Sequence, residues 1–165
     1  MTKLDPIAAI QKTGDLRSST FIQIYVTIRN LYKYYDIVIN KHTEISTIQL
    51  SVLHAITEND GSMRASDIAR WLGTKRHNVT TLIRRMEKSG FVKVTIDKTN
   101  KNFVRVYITE KGKLIFNNSL PIAKEAIDNV MCTFSDDELV QMQNLCAMMS
   151  ASVDRAKGNM KNPKS

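Results

Sequence analysis

The stretch from Arg64 to Gly90, RASDIARWLGTKRHNVTTLIRRMEKSG, decides the fold because it encodes two short helices joined by a tight turn. Apolar residues at helical spacing predict a first helix over 64–72. Gly73 follows it, at the position where glycine commonly ends a helix. A second helix is predicted over 75–88, and Ser89-Gly90 ends it.

The second of these helices separates its apolar residues from its polar ones. Its predicted buried face comprises Val79, Leu82, Ile83 and Met86. The opposite face presents Arg76, Thr80 and Arg84 at successive turns, with His77, Thr81 and Arg85 beside them. Arg can form two parallel hydrogen bonds with guanine, and Thr offers a hydroxyl and a methyl group to thymine. This face therefore predicts contact with base edges of duplex DNA, and the alternative is an ordinary solvated helix face.

Positive charge is concentrated in the same part of the chain. Between Arg64 and Arg105 there are eleven Lys or Arg residues and three acidic residues, a net charge of +8 over 42 residues. The other 123 residues carry thirteen charges of each sign. The commonest partner of so localised a basic surface is a phosphate backbone.

Beyond this stretch the apolar spacing changes from helical to alternating, which predicts two strands over 91–96 and 103–108. Lys98, Lys101 and Arg105 of the resulting hairpin are expected to lie over the minor groove or the phosphates. Alternatively, a polar hairpin with two lysines is an ordinary soluble turn. Three helices followed by such a hairpin describe a winged helix-turn-helix, in which the second helix of the motif enters the major groove.

Further helices are predicted on both sides of this unit. A first helix with a stripe of Tyr and Ile residues begins at Ser18, and Ser18, Ser19 or Thr20 is expected to cap it. Another helix is predicted over 46–56. A later helix is predicted from Thr109 to about Asn118, and it resumes after Pro121. The last predicted helix begins at the Ser135 capping box. Residues 1–17 are predicted to form a loose arm that can hold a short helix over 6–12. The tail from Lys157 is predicted to be disordered.

Composition limits the class of protein. The two cysteines, Cys132 and Cys146, do not form a disulfide framework, and we find no signal-peptide pattern or long apolar run. A cytoplasmic, soluble protein is therefore expected, with no membrane partner. His42, His54 and His77 have no metal-ligand spacing, so no metal site is expected. Phosphate-binding glycine loops and catalytic motifs are also missing, which predicts a non-enzyme without cofactors.

Residues 45–112 contain a series of motifs at characteristic spacing. They are Gln49-x-x-Val52-Leu53, Asp67-Ile68-Ala69-x-x-Leu72-Gly73, Val79-Thr80-x-Leu82-Ile83-x-Arg85-Met86-Glu87-x-x-Gly90-Phe91-Val92, and a wing from Asp97 that ends in Ile108-Thr109-x-Lys111-Gly112. With these motifs the stretch resembles the multiple-antibiotic-resistance regulator (MarR) family of bacterial repressors. The flanking helices match that family in position and length.

The resemblance implies a homodimeric transcription regulator that is mainly α with a small β-hairpin wing. It implies an N-terminal arm (1–17), a dimerisation helix (18–44), a winged helix-turn-helix DNA-binding domain (45–112), C-terminal dimerisation helices (113–156) and a disordered tail (157–165). The expected DNA-binding residues are Arg64, Lys75, Arg76, His77, Thr80, Thr81, Arg84, Lys98, Lys101 and Arg105.

The chain departs from the family pattern at three places. The wing has Asn100 and Lys101 where an Asp-Arg pair is usual, so phosphate contact is expected there rather than base reading. Lys75 stands where a capping Ser usually begins the recognition helix, and Thr74 is expected to take over that role. Arg64 replaces a capping Thr and is expected to bind phosphate.

A small-molecule effector is a further implication of the resemblance. A ligand cleft between the dimer helices and the DNA-binding domain would be lined by Tyr32, Tyr35 or Trp71, and the alternative is that these aromatic residues simply pack. Cys146 is expected in the core, whereas Cys132 is expected to be more accessible.

The function predicted from the sequence is sequence-specific binding of double-stranded DNA by a homodimer, as a ligand-responsive repressor on a pseudo-palindromic operator. Two alternatives remain open. One is a winged helix that docks an acidic protein partner, and the other is a non-specific architectural nucleic-acid binder.

Overall fold

The structure, a computed structural model, describes residues 15–96 and 104–161. These contain helices α1 (Leu16–His42), α2 (Thr47–Thr57), α3 (Ala65–Trp71), α4 (Arg76–Lys88), α5 (Glu110–Met131) and α6 (Asp136–Lys161), and strands β1 (Ser62–Arg64), β2 (Val92–Ile96) and β3 (Val104–Ile108). The mainly α fold with a small β wing is confirmed. The arm before residue 15, with its expected helix over 6–12, lies outside the described residues.

The chain forms two compact units, with the boundary between Ala126 and Ile127. The core of the first unit gathers side chains from every helix and strand of the winged region. Leu53, Ile68, Met86, Val92 and Val106 come from α2, α3, α4, β2 and β3 and are all at most 2% exposed. Burial of these side chains is what orients α4 relative to the sheet.

The sheet has three antiparallel strands in the order β1-β3-β2. The sequence did not predict β1, in which Ser62–Arg64 pairs with β3, and the helix expected from Arg64 begins one residue later, at Ala65. Asp60 and Gly61 both adopt positive φ angles, 54° and 76°, and this tight turn directs the chain from α2 onto the edge of β3. Three residues are too few to show the alternation that identifies a strand in sequence.

Thr109 connects the end of the wing to α4 and α5. Its hydroxyl donates toward the carbonyl oxygens of Gly90 (2.6 Å) and Phe91 (3.1 Å) and accepts from the backbone N–H of Gly112 (3.0 Å). The expected capping of the fifth helix by Thr109 is confirmed. One hydroxyl thus joins the turn after α4 to the start of α5.

The first helix begins earlier than the sequence suggested. Its N-cap is Asp15, whose carboxylate accepts from the N–H groups of Arg17 and Ser18, so capping by Ser18, Ser19 or Thr20 is wrong. The Ser18 hydroxyl also donates to this carboxylate at 2.6 Å. These bonds, the Ser18 side-chain bond foremost, lower the pKa of Asp15, so the capping carboxylate stays ionised at more acidic pH than an ordinary aspartate does.

Helix α5 continues through Pro121 instead of stopping near Asn118 as expected. Its buried face, which includes Phe116, Ser119 and Ala123, extends across the proline without interruption. Pro121 and Asn117 are exposed. The Asn117 carbonyl, whose usual donor the proline removes, therefore lies where water can replace that donor.

Helix α6 begins with the predicted capping box, in which Ser135 and Glu138 exchange hydrogen bonds. It continues to Lys161, so the expectation of disorder from Lys157 is wrong for residues 157–161, and 162–165 lie outside the described residues. None of the α6 side chains that the structure describes is buried within its own chain.

Gly112 supplies the first stability prediction. A Cβ at this position would collide with the Phe91 carbonyl oxygen and press on Ile108, so Gly112→Ala must separate α5 from the wing. We expect a loss of about 1–3 kcal/mol in the free energy of unfolding, measured by urea denaturation. Gly158→Ala is the matched control because nothing lies within 4 Å of its Cβ position in α6, and there we expect a gain of up to about 1 kcal/mol. An unchanged or raised stability of Gly112→Ala would contradict the close approach.

Candidate nucleic-acid interface

Helix α4 is fixed against the domain by its apolar side. Val79, Ile83 and Met86 are buried, and Leu82 is partly buried. At the C-terminal end, the Glu87 carboxylate accepts from the backbone N–H of Val94 in β2 at 3.0 Å. The helix is therefore tied both to the core and to a strand of the wing.

The opposite side of α4 is exposed along its whole length. Arg76, Thr80 and Arg84 lie in solvent, and so do the three residues beside them, His77, Thr81 and Arg85. The expected placement of this face away from the core is confirmed. Its proposed contacts with DNA remain a prediction.

The hydroxyls of the two threonines already donate to the helix backbone. Thr80 Oγ1 donates to the Arg76 carbonyl at 3.1 Å, and Thr81 Oγ1 donates to the His77 carbonyl at 3.3 Å. In this arrangement each hydroxyl can still accept a hydrogen bond, and each side chain keeps a methyl group. The threonines are thus suited to accept from an amino group of cytosine or adenine, or to contact a thymine methyl.

The N-terminus of α4 is strongly basic. Its N-cap is Lys75, which makes no side-chain capping bond, and no acidic residue stands in the first turn. The expectation that Thr74 caps the helix is wrong, because the Thr74 hydroxyl accepts from the Asn78 side chain at 3.2 Å. Cationic side chains beside the positive end of a helix dipole favour a bound phosphate.

The wing residues differ in what the structure describes. Lys98, Lys101 and Asn100 lie outside the described residues. Arg105 is partly buried in β3, and its Nη1 donates to Ser62 Oγ at 3.3 Å. Its side chain extends across the sheet toward β1, and its expected contact with DNA remains a prediction. Arg64 is the partly buried residue opposite Arg105 across the β1–β3 pair.

The aromatic residues of the expected ligand cleft have different environments. Tyr32 is 55% exposed, whereas Tyr35 packs against the core, and burial raises its pKa. Trp71 is 54% exposed, and its ring lies 6.3 Å from that of His54. No ring contact in the described part of the chain joins Trp71 to either tyrosine, so the cleft remains a hypothesis.

Both cysteines are exposed in the single chain. For Cys132, in the turn after α5, this matches the expected accessibility. The expected core position of Cys146 is wrong, because this side chain is exposed on α6.

Comparisons with known proteins agree with this geometry. The family model described as MarR family matches residues 43–101. The uncharacterized HTH-type transcriptional regulator YfiV of Bacillus subtilis (strain 168) is 30% identical over 114 residues, which cover 69% of this chain and 71% of that protein. The chain belongs to the MarR family. It is therefore a transcriptional regulator of the winged helix-turn-helix type, as the motifs implied.

Two solved structures share the fold of this MarR-family chain. One is Sco3205, a MarR family transcriptional regulator from Streptomyces coelicolor, in complex with DNA. Its TM-score is 0.78 at 13% identity, and the match covers 84% of this chain and 92% of that one. The other is an organohalide-sensing transcriptional regulator bound to 2,4-dichlorophenol. Its TM-score is 0.74 at 21% identity, and the match covers 85% of this chain and 82% of that one.

No helix within residues 15–96 and 104–161 combines the length and apolar character that crossing a membrane requires.

Substitution of Lys75 tests whether the N-terminus of α4 lacks a side-chain cap. We expect Lys75→Ser to raise the free energy of unfolding by about 1 kcal/mol, because a serine at the N-cap satisfies a backbone donor and a positive charge leaves the helix end. Urea denaturation measures the change. Ser46→Ala at the N-cap of α2 is the matched control and should lower stability by a similar amount, since Ser46 accepts from the Gln49 N–H. A Lys75→Ser protein no more stable than the parent would show that this end of α4 is already capped.

Proposed function

We propose that this MarR-family chain is a cytoplasmic repressor that binds duplex DNA sequence-specifically as a homodimer, with α4 in the major groove. The observation that carries the proposal is the face of α4 that presents Arg76, Thr80 and Arg84 to solvent while the other side is buried. The role requires neither catalysis nor a cofactor.

The dimensions of this face suit the major groove. Arg76 and Arg84 are eight residues apart, which is about 12 Å along a helix. That distance corresponds to roughly three to four base-pair steps. Thr80 lies midway, so one helix can read a short half-site with an arginine at each end.

The wing and the N-terminus of α4 supply the sequence-independent part of binding. Lys75, the N-cap of α4, and Lys93 in β2 are both exposed, and Lys98 and Lys101 belong to the wing. Contacts of this kind position the protein on the phosphates, whereas base contacts determine sequence.

Exposed apolar stripes on α1 and α6 favour a second copy of the chain as the partner. On α1, Phe21, Tyr25, Ile28 and Tyr32 form an exposed stripe, and each is at least 55% exposed. On α6, Val140, Leu145 and Met148 are each more than half exposed. Long apolar stripes of this kind are rarely left in water, and a homodimer buries the same stripes on both copies. Two recognition helices then face half-sites whose centres are about 34 Å apart.

A small-molecule effector completes the proposal. Tyr32, Tyr35 and Trp71 are the candidate lining, and the 2,4-dichlorophenol complex of a protein with this fold supports an aromatic ligand. Such a ligand would act by favouring a dimer geometry in which the two α4 helices no longer match the half-sites.

The α4 assignment predicts different effects for the helix and the wing. Arg76→Ala and Arg84→Ala should each reduce affinity for the preferred duplex by roughly 1–3 kcal/mol, because each arginine loses a base contact. Lys101→Ala should weaken binding to all sequences alike and reduce the slope of log affinity against log salt by about one. Fluorescence anisotropy with a duplex selected from a random library and with a scrambled duplex measures both effects.

The control for this experiment is Arg17→Ala, which removes an exposed arginine at the start of α1 and should leave DNA affinity unchanged. Full specific affinity in the combined Arg76→Ala/Arg84→Ala protein would refute α4 as the reading element. Equal affinity for every duplex would indicate an architectural binder. Absence of duplex binding at moderate salt would indicate a protein-docking winged helix.

Dimerisation is tested by a charge in the α6 stripe. Leu145→Glu should convert the dimer into monomers in sedimentation equilibrium, because association would bury the new carboxylate in apolar surroundings. Gln143→Glu introduces the same charge at an exposed position about 160° from Leu145 around the helix and should leave the dimer intact. A dimer that persists in Leu145→Glu, or a parent protein that is monomeric, would contradict the proposed interface.

A further inference from the structure

One face of the wing stays apolar beyond the point where the core ends. The side chains on this face belong to three cross-strand pairs of β2 and β3, which are Val92–Ile108, Val94–Val106 and Ile96–Val104. Alternate residues of a strand project from the same side of a sheet, so all three pairs share one face. This face begins in the core and continues toward the wing tip.

Burial decreases along this face from one end of the strands to the other. On β2, Val92 is 2% exposed, whereas Ile96 is 65% exposed. On β3, Val106 is fully buried, whereas Val104 is 37% exposed. The Ile96–Val104 pair is therefore apolar where the core no longer covers it. Two threonines would keep the β-branched shape that strands favour without exposing this apolar surface, so the fold alone does not account for the pair.

The sequence around this pair is positively charged. Residues 93–105 contain one acidic residue, Asp97, and four cationic residues, which are Lys93, Lys98, Lys101 and Arg105. Four positive charges and one negative charge give this segment a net charge of +3. Lys93, three positions before Ile96 on β2, is exposed. A partner that fits this part of the wing therefore has to offer negative charge beside apolar surface.

The minor groove of duplex DNA offers this combination. Its walls are deoxyribose rings with apolar C–H groups, and phosphates border it on both sides. Proteins that bind this groove often place isoleucine, leucine or other apolar side chains in it. The strand that carries Ile96 is attached to the helix proposed for the major groove, because the Glu87 carboxylate of α4 accepts from the Val94 N–H at 3.0 Å. Binding of α4 would therefore position this strand on the same duplex.

We propose that Ile96 and Val104 form an apolar contact between the wing and the deoxyribose walls of the minor groove. This inference rests on the proposed function, because it requires α4 to bind the same duplex. The contact stabilises the complex by removing apolar surface from water, and dissolved salt does not screen that contribution. The lysines of the wing supply the salt-dependent contribution, so the two parts of wing binding can be measured separately.

The test compares the full-length parent protein with Ile96→Thr/Val104→Thr in anisotropy titrations of the selected duplex at several salt concentrations. Threonine keeps the branched Cβ, so the strands keep their shape while apolar surface is lost. Loss of one methyl group from an apolar contact weakens binding about four-fold, so we expect the double variant to bind about ten-fold more weakly at every salt concentration. The slope of log affinity against log salt should stay unchanged, whereas Lys101→Ala should reduce it.

The matched control is Leu114→Thr. Leu114 is 63% exposed, almost the same as Ile96, and it lies on α5 outside the wing, so its substitution should leave DNA affinity unchanged. Hydroxyl-radical footprinting gives a second readout, because these radicals attack the deoxyribose rings. We expect the Ile96→Thr/Val104→Thr protein to lose protection in the minor groove beside each half-site and to keep the rest of the footprint.

Parent affinity and an unchanged footprint in the double variant would refute the apolar contact and leave the proposed function intact. An altered salt slope, or an equal loss of affinity in Leu114→Thr, would refute it as well. Absence of duplex binding by the parent protein would refute both proposals and leave an acidic protein as the candidate partner of the pair. If circular dichroism shows that the double variant is unfolded, Val104→Thr replaces it, since exchange of one methyl for a hydroxyl should still weaken binding about four-fold.

Discussion

The arrangement of α4, the wing and α5 depends on the hydrogen bonds of the Thr109 hydroxyl. It bonds the turn that ends α4, lies at the end of β3 and caps α5. Gly112 permits this junction because its missing side chain lets the first turn of α5 approach the Phe91 carbonyl. The Lys111 side chain adds a bond to the Ser89 carbonyl at 2.9 Å. The direction of α4, the root of the wing and the start of α5 are therefore set together at one point.

Most of the helical architecture was predictable because it rests on local patterns. Buried residues on α4 recur at helical spacing, and the glycine turns and the Ser135 box stand where helices end or begin. The structural features that could not be predicted from the sequence depend on tertiary contacts. Strand β1 forms only because β3 offers an edge, α5 tolerates Pro121 because its buried face is continuous, and Arg105 turns toward Ser62 across the sheet.

In the candidate site, too, the features that local spacing determines were predictable, and those that depend on tertiary contacts were not. The exposure of Arg76, Thr80 and Arg84 followed from the spacing of the apolar residues alone. Arg64 and Arg105 were expected from the sequence to bind DNA, but their position opposite each other follows only from the β1–β3 register, which the sequence did not predict.

Helix α6 buries none of its described side chains against the rest of its own chain, and this affects the protein before it meets any DNA. In the proposed homodimer, where a second copy covers the α6 stripe, the order of this helix would depend on protein concentration through mass action. Chains at low abundance would then present an exposed, protease-accessible helix until they associate. Cellular protein level and turnover would in that case control how much functional regulator exists.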